Sequence, residues 1–239
     1  MNKRIWELDA LRGLSLLWMT VIHFLFDITW LFPLLQWTEP VWYTLWVRLC
    51  GVTFILISGI CVILGQHSIR RGLTVLGGGM VITAVTAALA LTGLCDSSII
   101  IYFGILHCLG VCMLLWPVFR KCPGWVLLLL GLALRFVGRF LDTLTVDTFW
   151  LVPFGVVPEN FASSDYFPLL RYLGIFLVGA GLGRYLYRQK TSLLPNVKQI
   201  LPIRFLCLCG RHSLLIYLLH QPVLALIAAG LFVIFGGYL

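Results

Sequence analysis

Two ionisable side chains stand four residues apart inside the first apolar stretch of this chain. Residues 4–27 read RIWELDALRGLSLLWMTVIHFLFD, and His23 and Asp27 lie in the apolar part of that segment. On a helix this spacing places both side chains on one face. An ionisable residue inside a bilayer costs roughly 2.5–3.5 kcal/mol on insertion scales. The pair therefore indicates a buried polar site, and the alternative interpretation is a polar contact that joins two helices.

General base catalysis is the chemistry that such a pair offers. A neutral imidazole is an effective base near pH 7, and a neighbouring carboxylate fixes its tautomer and stabilises the imidazolium that forms. His23 is therefore the candidate base and Asp27 its orienting partner. We predict that no metal is needed, although a His/His/Asp metal site is a minor alternative. No CxxC or Cys/His cluster in the sequence has zinc spacing.

Two further histidines are predicted to lie at a similar depth. At a rise of about 1.5 Å per residue, His23 lies about 15 Å and His107 about 13 Å from the outer face, and His220 about 12 Å from the inner face. All three approach the middle of a core that is about 30 Å thick. One shared cavity is therefore our hypothesis. His107 and His220 can equally be interpreted as hydrogen-bonding residues between helices.

Membrane-spanning helices are the elements that must position these residues. Of 239 residues, 61% are hydrophobic and 11% charged, whereas about a quarter are charged in soluble domains. Seven apolar stretches can be distinguished, and most of them are close to the ~20 residues that span hydrocarbon. They cover residues 12–33, 41–64, 72–93, 98–118, 124–141, 166–187 and 207–236. We predict an all-α, polytopic membrane helical bundle with about seven transmembrane helices, forming a single domain over residues 1–239.

The distribution of basic residues predicts the orientation of this bundle. Thirteen of the 17 Lys and Arg residues, beginning with Lys3 and Arg4, fall at one set of helix ends. The opposite loops, 34–40, 94–97 and 142–165, contain none. The positive-inside rule then predicts a cytoplasmic N-terminus and an external C-terminus. The net charge of +8 is thus a topology signal and does not imply a nucleic-acid partner.

Loop 142–165 is predicted to cover the external end of the bundle. Its middle is apolar but is broken by Pro153 and Pro158, so it is not expected to cross the bilayer as a helix. An interfacial or re-entrant segment, buried by protein where it enters the membrane, fits this composition.

Basic residues at the cytoplasmic ends are candidates for holding a polyanionic ligand such as a nucleotide phosphate. They are Arg70, Arg71, Arg120, Lys121, Arg184, Arg188, Lys190, Arg204 and Arg211. Topology alone also explains this charge. Arg48 lies inside the second apolar stretch, where it is a candidate for contact with Asp27 or an acyl carbonyl. Arg139 and Arg171 are interpreted as residues that extend to the lipid headgroups.

Four segments resemble signatures of one protein family. They are the opening segment 4–27, FGILHCLGV (103–111), DYFPLLRYLGIFLVGAGLGR (165–184) and LCGRHSLLIYLLHQPVL (208–224). These segments are similar to the heparan-alpha-glucosaminide N-acetyltransferase-like membrane proteins, especially to their short bacterial members. Together they reach from the first predicted helix to the last. The opening and closing motifs also recur in other membrane acyltransferases.

The resemblance implies an enzyme that transfers an acyl group, usually acetyl, from cytoplasmic acyl-coenzyme A to an external acceptor. The acceptor would be a hydroxyl or amine of a sugar or glycan, and the location a bacterial cytoplasmic membrane. His23, Asp27 and His107 are the predicted catalytic residues. The predicted coenzyme A site comprises Arg12, Arg48, Arg70, Arg71, Arg120, Lys121, Arg188, Arg211 and His220. The lipid bilayer, acyl-coenzyme A and the acceptor are the predicted partners, and a homo-oligomer is left open.

Two other classes of function are compatible with the same residues. One is a transporter or flippase that uses a proton-coupled His/Asp relay, although the sequence lacks a clear inverted repeat. The other is a non-catalytic membrane partner whose polar residues only pack.

The family's lysosomal member has an asparagine at the position of His23 and a histidine in the following external loop. This chain has no histidine between His23 and His67.

Overall fold

The computed structural model describes residues 5–36 and 40–235, and this part of the chain is helical, without a strand. Its α-helices are α1 (Trp6–Phe26), α2 (Val41–Val62), α3 (Ser68–Leu91), α4 (Ile105–Phe119), α5 (Gly124–Leu141), α6 (Leu169–Leu186), α7 (Leu201–Arg211) and α8 (Ser213–Phe235). A π-helical segment, Asp27–Leu31, continues α1, and short 3-10 helices cover Ser97–Ile99 and Phe149–Phe154. Lys3, Arg4 and part of loop 34–40 lie outside the described residues.

Six helices of the described chain are long and apolar enough to cross a membrane. They are α1 with its π-helical extension, α2, α3, α5, α6 and α8. The prediction of an all-α chain is therefore confirmed for the described residues, and the six candidate spans agree with a multi-pass membrane protein. The apolar stretch 98–118 forms the 15-residue helix α4, which is shorter than the usual span. The count of seven spans and the orientation of the termini stay predictions.

The chain divides into two compact units, and the boundary falls within α2. Unit 1 contains the chain up to Phe54 and from Ser192 onward, and unit 2 contains Ile55–Thr191. The catalytic candidates His23 and Asp27 belong to unit 1, whereas His107 belongs to unit 2. The single domain predicted over residues 1–239 stays a prediction.

In unit 1, α1 packs closely against α7 because each helix presents a glycine to the other. A Cβ atom on Gly13 would overlap the backbone oxygen of Leu206, and one on Gly210 would overlap that of Asp9. Such contacts allow two helix backbones to approach more closely than larger residues permit. The last apolar stretch of the sequence, 207–236, is divided at His212 into α7 and α8. α8 packs on the later part of α1.

In unit 2, glycines bring the helix pairs α3–α4 and α5–α6 together. Gly110 lies against Leu76, and Gly131 and Gly174 each lie against the backbone oxygen of the other. The segment of α2 in this unit packs on α6, where Gly179 faces the backbone of Leu56. Small residues at these contacts are typical of membrane helix interfaces.

Loop 142–165 belongs to unit 2 and contains a short 3-10 helix and an isolated bridge between Thr145 and Val157. Arg171 Nη1 donates to Asp142 Oδ2 at 2.8 Å, and the Tyr166 hydroxyl donates to the Val152 carbonyl at 2.6 Å. Burial raises the pKa of Tyr166, which keeps this donor protonated. The segment is therefore ordered by its own contacts, and its role as an external cover stays a prediction.

Candidate functional site

A cluster of four polar side chains, which we call the polar cluster, lies where α1 meets α8. It consists of His23, Asp27, His220 and Gln221. The ring centroids of His23 and His220 are 4.8 Å apart, with an interplanar angle of 66°. Gln221 Nε2 donates to Asp27 Oδ1 at 2.7 Å. Both candidate residues of α1 thus find a partner on α8, and two of the three histidines placed at a similar depth are in contact.

Local irregularities in both helices accompany this cluster. Asp27 begins the π-helical segment at the end of α1, and such segments are frequent at functional sites. On α8, Pro222 follows the two cluster residues. Since proline has no N–H, the carbonyl of Leu218 lacks its usual helical donor. The cluster therefore lies beside helix turns whose backbone hydrogen bonding departs from the regular pattern.

Burial leaves part of the polar cluster without hydrogen-bond partners. Asp27 is 0% exposed, and only one of its two carboxylate oxygens is bonded. The buried atoms without a partner are Asp27 Oδ2, His220 Nε2 and Gln221 Oε1. Each such atom costs roughly 1–3 kcal/mol when it is withdrawn from water. Three of them at one place indicate a site that is completed by a bound polar group.

His107 has a different environment, at the start of α4 in unit 2. Its Nδ1 accepts the backbone N–H of Gly104 at 3.3 Å. The Thr83 hydroxyl donates to the Ile101 carbonyl, so the 3.2 Å contact between Thr83 Oγ1 and His107 Nε2 requires the ring to donate. Both ring nitrogens are then satisfied. This arrangement favours the interpretation of His107 as a hydrogen-bonding residue between helices, and its catalytic role stays a prediction.

Most of the predicted coenzyme A residues gather at one end of unit 2, where α3 begins and α4 and α6 end. They are Arg70, Arg71, Arg120, Lys121 and Arg188, all of which are exposed. Arg184 joins two of these helix ends, because its guanidinium donates to the backbone oxygen of Arg120. We call these six residues the basic end of unit 2. Their exposed positive charge is suited to phosphate groups.

The remaining predicted coenzyme A residues belong to unit 1 and are not gathered in this way. Arg12 is partly buried and Arg48 is exposed. Arg211 Nε lies 3.4 Å from Asp9 Oδ2, so this residue already has an acidic partner. His220 belongs to the polar cluster.

Two ion pairs in the structure were not expected from the sequence. Arg171 is paired with Asp142, and each side chain is only 22% exposed, so its interpretation as a headgroup contact is wrong. Arg211 pairs with Asp9 across the α1–α7 contact. Gln221 was also missed, although an amide beside Pro222 in an apolar helix is a usable signal. In each case the partners are far apart in the chain, and spacing could not reveal them.

Comparison with protein families decides the class of the protein. The family model described as heparan-alpha-glucosaminide N-acetyltransferase, catalytic, matches residues 4–222. The chain belongs to this family. No curated protein and no solved structure matches the chain. The resemblance of its four segments is thus confirmed at the level of the family.

The matched region includes the whole polar cluster and the basic end of unit 2. Together with six helices that can cross a membrane, the family indicates a multi-pass membrane acetyltransferase. Members of this family generally use acetyl-coenzyme A as the donor. Among the described residues, no group of three or more His, Cys, Asp or Glu side chains is arranged to hold a metal ion.

Proposed function

We propose that this protein transfers an acetyl or related acyl group from cytoplasmic acyl-coenzyme A to a hydroxyl or amine of a sugar or glycan across the membrane. The observation that carries this proposal is the polar cluster, in which three buried atoms lack hydrogen-bond partners although both helices are apolar enough to cross a membrane. Ionisable side chains inside membrane-spanning helices are rare and typically serve a ligand or a reaction. Its family supplies the class of reaction.

The reaction needs a base close to the attacking atom, and the histidine pair of the polar cluster offers one. The hydroxyl or amine attacks the thioester carbonyl carbon while an imidazole takes its proton. The carbon–sulfur bond then breaks, and the coenzyme A thiolate takes a proton from the imidazolium. Two imidazolium rings at 4.8 Å would repel each other, so only one ring of the pair is positively charged at a time. Asp27 supplies a negative charge that favours this state.

The donor would be bound through its phosphates at the cytoplasmic face. The basic end of unit 2 supports this assignment, because five of its side chains are exposed and coenzyme A is strongly anionic. Charge-assisted hydrogen bonds to phosphate are roughly twice as strong as neutral ones. In unit 1, Arg12 and Arg48 are the further candidates, whereas Arg211 is already paired with Asp9.

The chain would cross the membrane seven times, and the directions of packed helices support this count. In unit 1, His23 meets His220 and, further along both helices, Phe32 meets Phe232. α1 and α8 therefore run in the same direction. The first and last of a series of spans are parallel only when their number is odd. Seven spans satisfy this condition, and six do not.

The same reasoning applies to α2 and α6 within unit 2. Leu56 meets Gly179 and Ile60 meets Gly183, so these two helices are parallel. An odd number of crossings between them fits this direction, which supports a crossing by α4 in addition to α3 and α5. α4 is about 22 Å long at about 1.5 Å per residue, and Ile105–Gly110 are buried. A span covered by protein need not match the full lipid thickness.

Acetyl-coenzyme A binding and turnover test the proposed function directly. Purified protein in detergent should bind acetyl-coenzyme A in calorimetry and release free coenzyme A thiol when offered glucosamine or hydroxylamine as acyl acceptors. The matched control is an acetyl-coenzyme A analogue in which a thioether replaces the thioester. It should bind but release no thiol. If saturating acetyl-coenzyme A gives neither heat nor thermal stabilisation, the assignment of acetyl-coenzyme A as the donor is wrong. Counterflow of a labelled solute in liposomes would then favour a transporter.

A further inference from the structure

We propose that His220, rather than His23, takes the proton from the acceptor, and that the reacting hydroxyl or amine is bound by His220, Asp27 and Gln221. This inference rests on the proposed acyl transfer and specifies which part of that reaction the polar cluster serves. It reverses the roles expected from the sequence, where His23 is the base and His220 contributes to coenzyme A binding.

The tautomer of His220 is fixed by its own helix. His220 Nδ1 lies 2.6 Å from the carbonyl oxygen of Tyr217. A carbonyl oxygen only accepts hydrogen bonds, so Nδ1 must carry the proton. In a neutral ring, the lone pair is then on Nε2, and this atom is buried without a partner. His220 therefore presents an oriented, unused basic nitrogen, which is what a general base requires.

The other histidines in the described helices do not offer the same combination. Both nitrogens of His107 are engaged, by Gly104 and by Thr83. The ring of His23 is partly buried and lies edge-to-face with that of His220. The His23 ring therefore packs against the His220 ring and holds it in place. It lies next to the positive charge that forms on His220 during the reaction.

The unpaired atoms of the polar cluster are all hydrogen-bond acceptors. Gln221 directs its amide N–H to Asp27 Oδ1, so its carbonyl oxygen Oε1 points elsewhere and is unpartnered. Asp27 Oδ2 and His220 Nε2 are likewise acceptors. Three acceptors bind a group that has protons to donate. A hydroxyl or amine fits this requirement, whereas the carbonyl oxygen of a thioester would need donors.

These observations assign the polar cluster to the acyl acceptor. In the reaction, the acceptor's oxygen or nitrogen forms a bond to the thioester carbonyl carbon, and its proton moves to His220 Nε2. The carbon–sulfur bond breaks, and the sulfur leaves with its electron pair. His220 then returns the proton to the sulfur and is neutral again. The step consumes only the acyl-coenzyme A and the acceptor.

A substitution of His220 by asparagine separates the base from the structural contact. In His220→Asn, the side-chain amide can still donate to the Tyr217 carbonyl in place of Nδ1, but no atom replaces the Nε2 base. A general base contributes roughly 10²–10⁴-fold to the rate. We therefore expect His220→Asn to lower kcat at least a hundredfold while its affinity for acetyl-coenzyme A is unchanged. The matched control is His67→Asn, at an exposed histidine before α3, which should keep wild-type kcat.

A second variant distinguishes the two rings of the histidine pair. His23→Phe keeps a ring against His220 but has no nitrogen, so we expect it to retain kcat within about tenfold of the wild type, far above His220→Asn. If His220→Asn keeps wild-type turnover while His23→Phe is inactive, the assignment to His220 is wrong and the acyl transfer itself stands. If the wild type neither binds nor consumes acetyl-coenzyme A, it is the proposed function that fails.

The tautomer can be measured independently of activity. In protein labelled with nitrogen-15 at histidine, the signals that disappear in His220→Asn belong to His220, and their chemical shifts distinguish a protonated from an unprotonated ring nitrogen. We expect a protonated Nδ1 and an unprotonated Nε2, with thermal unfolding used to show that the variant is folded. A protonated Nε2 in the neutral ring would refute the proposal even if no acceptor had been found.

Discussion

Asp27 is the residue at which charge and hydrogen bonding in the polar cluster can be separated. In Asp27→Asn, the remaining amide oxygen can still accept from Gln221 Nε2, as Oδ1 does now, but the negative charge is lost. The imidazolium formed during acyl transfer then lacks its counter-charge, so we expect kcat to fall at least tenfold with acetyl-coenzyme A affinity unchanged. Measurement of kcat and of the dissociation constant on the same preparation checks this.

The fold of this variant should be intact, because it removes a buried charge and not a packing contact. Thermal unfolding in detergent provides the control, and we expect no decrease of the midpoint. A variant that loses acetyl-coenzyme A affinity together with kcat would place Asp27 on the donor side of the reaction and contradict the acceptor assignment.

The sequence predicted part of this site. Depth estimates correctly brought His23 and His220 to a similar level, because helix rise is regular. They could not show which way either ring faces, since that depends on how α1 and α8 are rotated against each other. Gln221 becomes a partner of Asp27 only where α8 meets α1, and the Tyr217 carbonyl becomes a partner of His220 only through the orientation of that ring on α8.

At the scale of elements, the α1–α7 contact predicts a strong effect of a single methyl group. Gly13→Ala places a Cβ where the backbone oxygen of Leu206 now lies, so the helices must separate. Overpacking of this kind costs about 1–3 kcal/mol, which corresponds to several degrees in the midpoint of unfolding. Gly230→Ala in α8 is the matched control, because a Cβ there meets nothing within 4 Å, and its midpoint should not fall.

Thermal unfolding of both variants in the same detergent is the measurement. Equal midpoints for Gly13→Ala and Gly230→Ala would mean that α1 and α7 are not in close contact. Activity of Gly13→Ala, measured below its midpoint, then reports whether the close approach of these helices also matters for the polar cluster.

The apolar stretches of the sequence predicted the positions of the long helices well. They did not predict helix ends that are determined by contacts within the protein. The stretches 41–64 and 124–141 correspond closely to α2 and α5. By contrast, stretch 207–236 runs through the break at His212, because apolar residues continue on both sides of it. α1 begins at Trp6, before its apolar stretch, and its first turn is held by Glu7, which accepts hydrogen bonds from Ser192 and Leu193. Such long-range partners are not visible in a local pattern.

At the scale of the whole molecule, the concentration of positive charge predicts how the donor binds. Arg70→Gln combined with Arg71→Gln removes two exposed charges from the basic end of unit 2. Hydrogen bonds to charged groups are worth about 1.5–3 kcal/mol each, so the affinity for acetyl-coenzyme A should fall at least tenfold. Rising salt should weaken binding to the wild type more than to this variant.

Arg139→Gln is the control for this change. Arg139 is exposed near the opposite end of α5, so calorimetry should give it the wild-type dissociation constant and salt dependence. If the double variant binds acetyl-coenzyme A as tightly as Arg139→Gln does, the phosphates are bound elsewhere, and Arg12 and Arg48 of unit 1 become the residues to substitute.

The topology of the chain can be decided by two cysteines placed on either side of α4, α5 and α6. Asp96→Cys lies after α3 and Lys190→Cys after α6, and both positions are exposed. If α4 crosses the membrane, three spans separate the two positions and they face opposite sides; if it does not, two spans separate them and they face the same side. The positive-inside rule adds that position 96 is external and position 190 cytoplasmic. In a background where Cys95 and Cys122 are replaced by serine, an impermeant thiol reagent applied to intact cells should therefore label position 96 only. Labelling of both positions from outside would show that α4 does not cross, and it would exclude the seven-span arrangement.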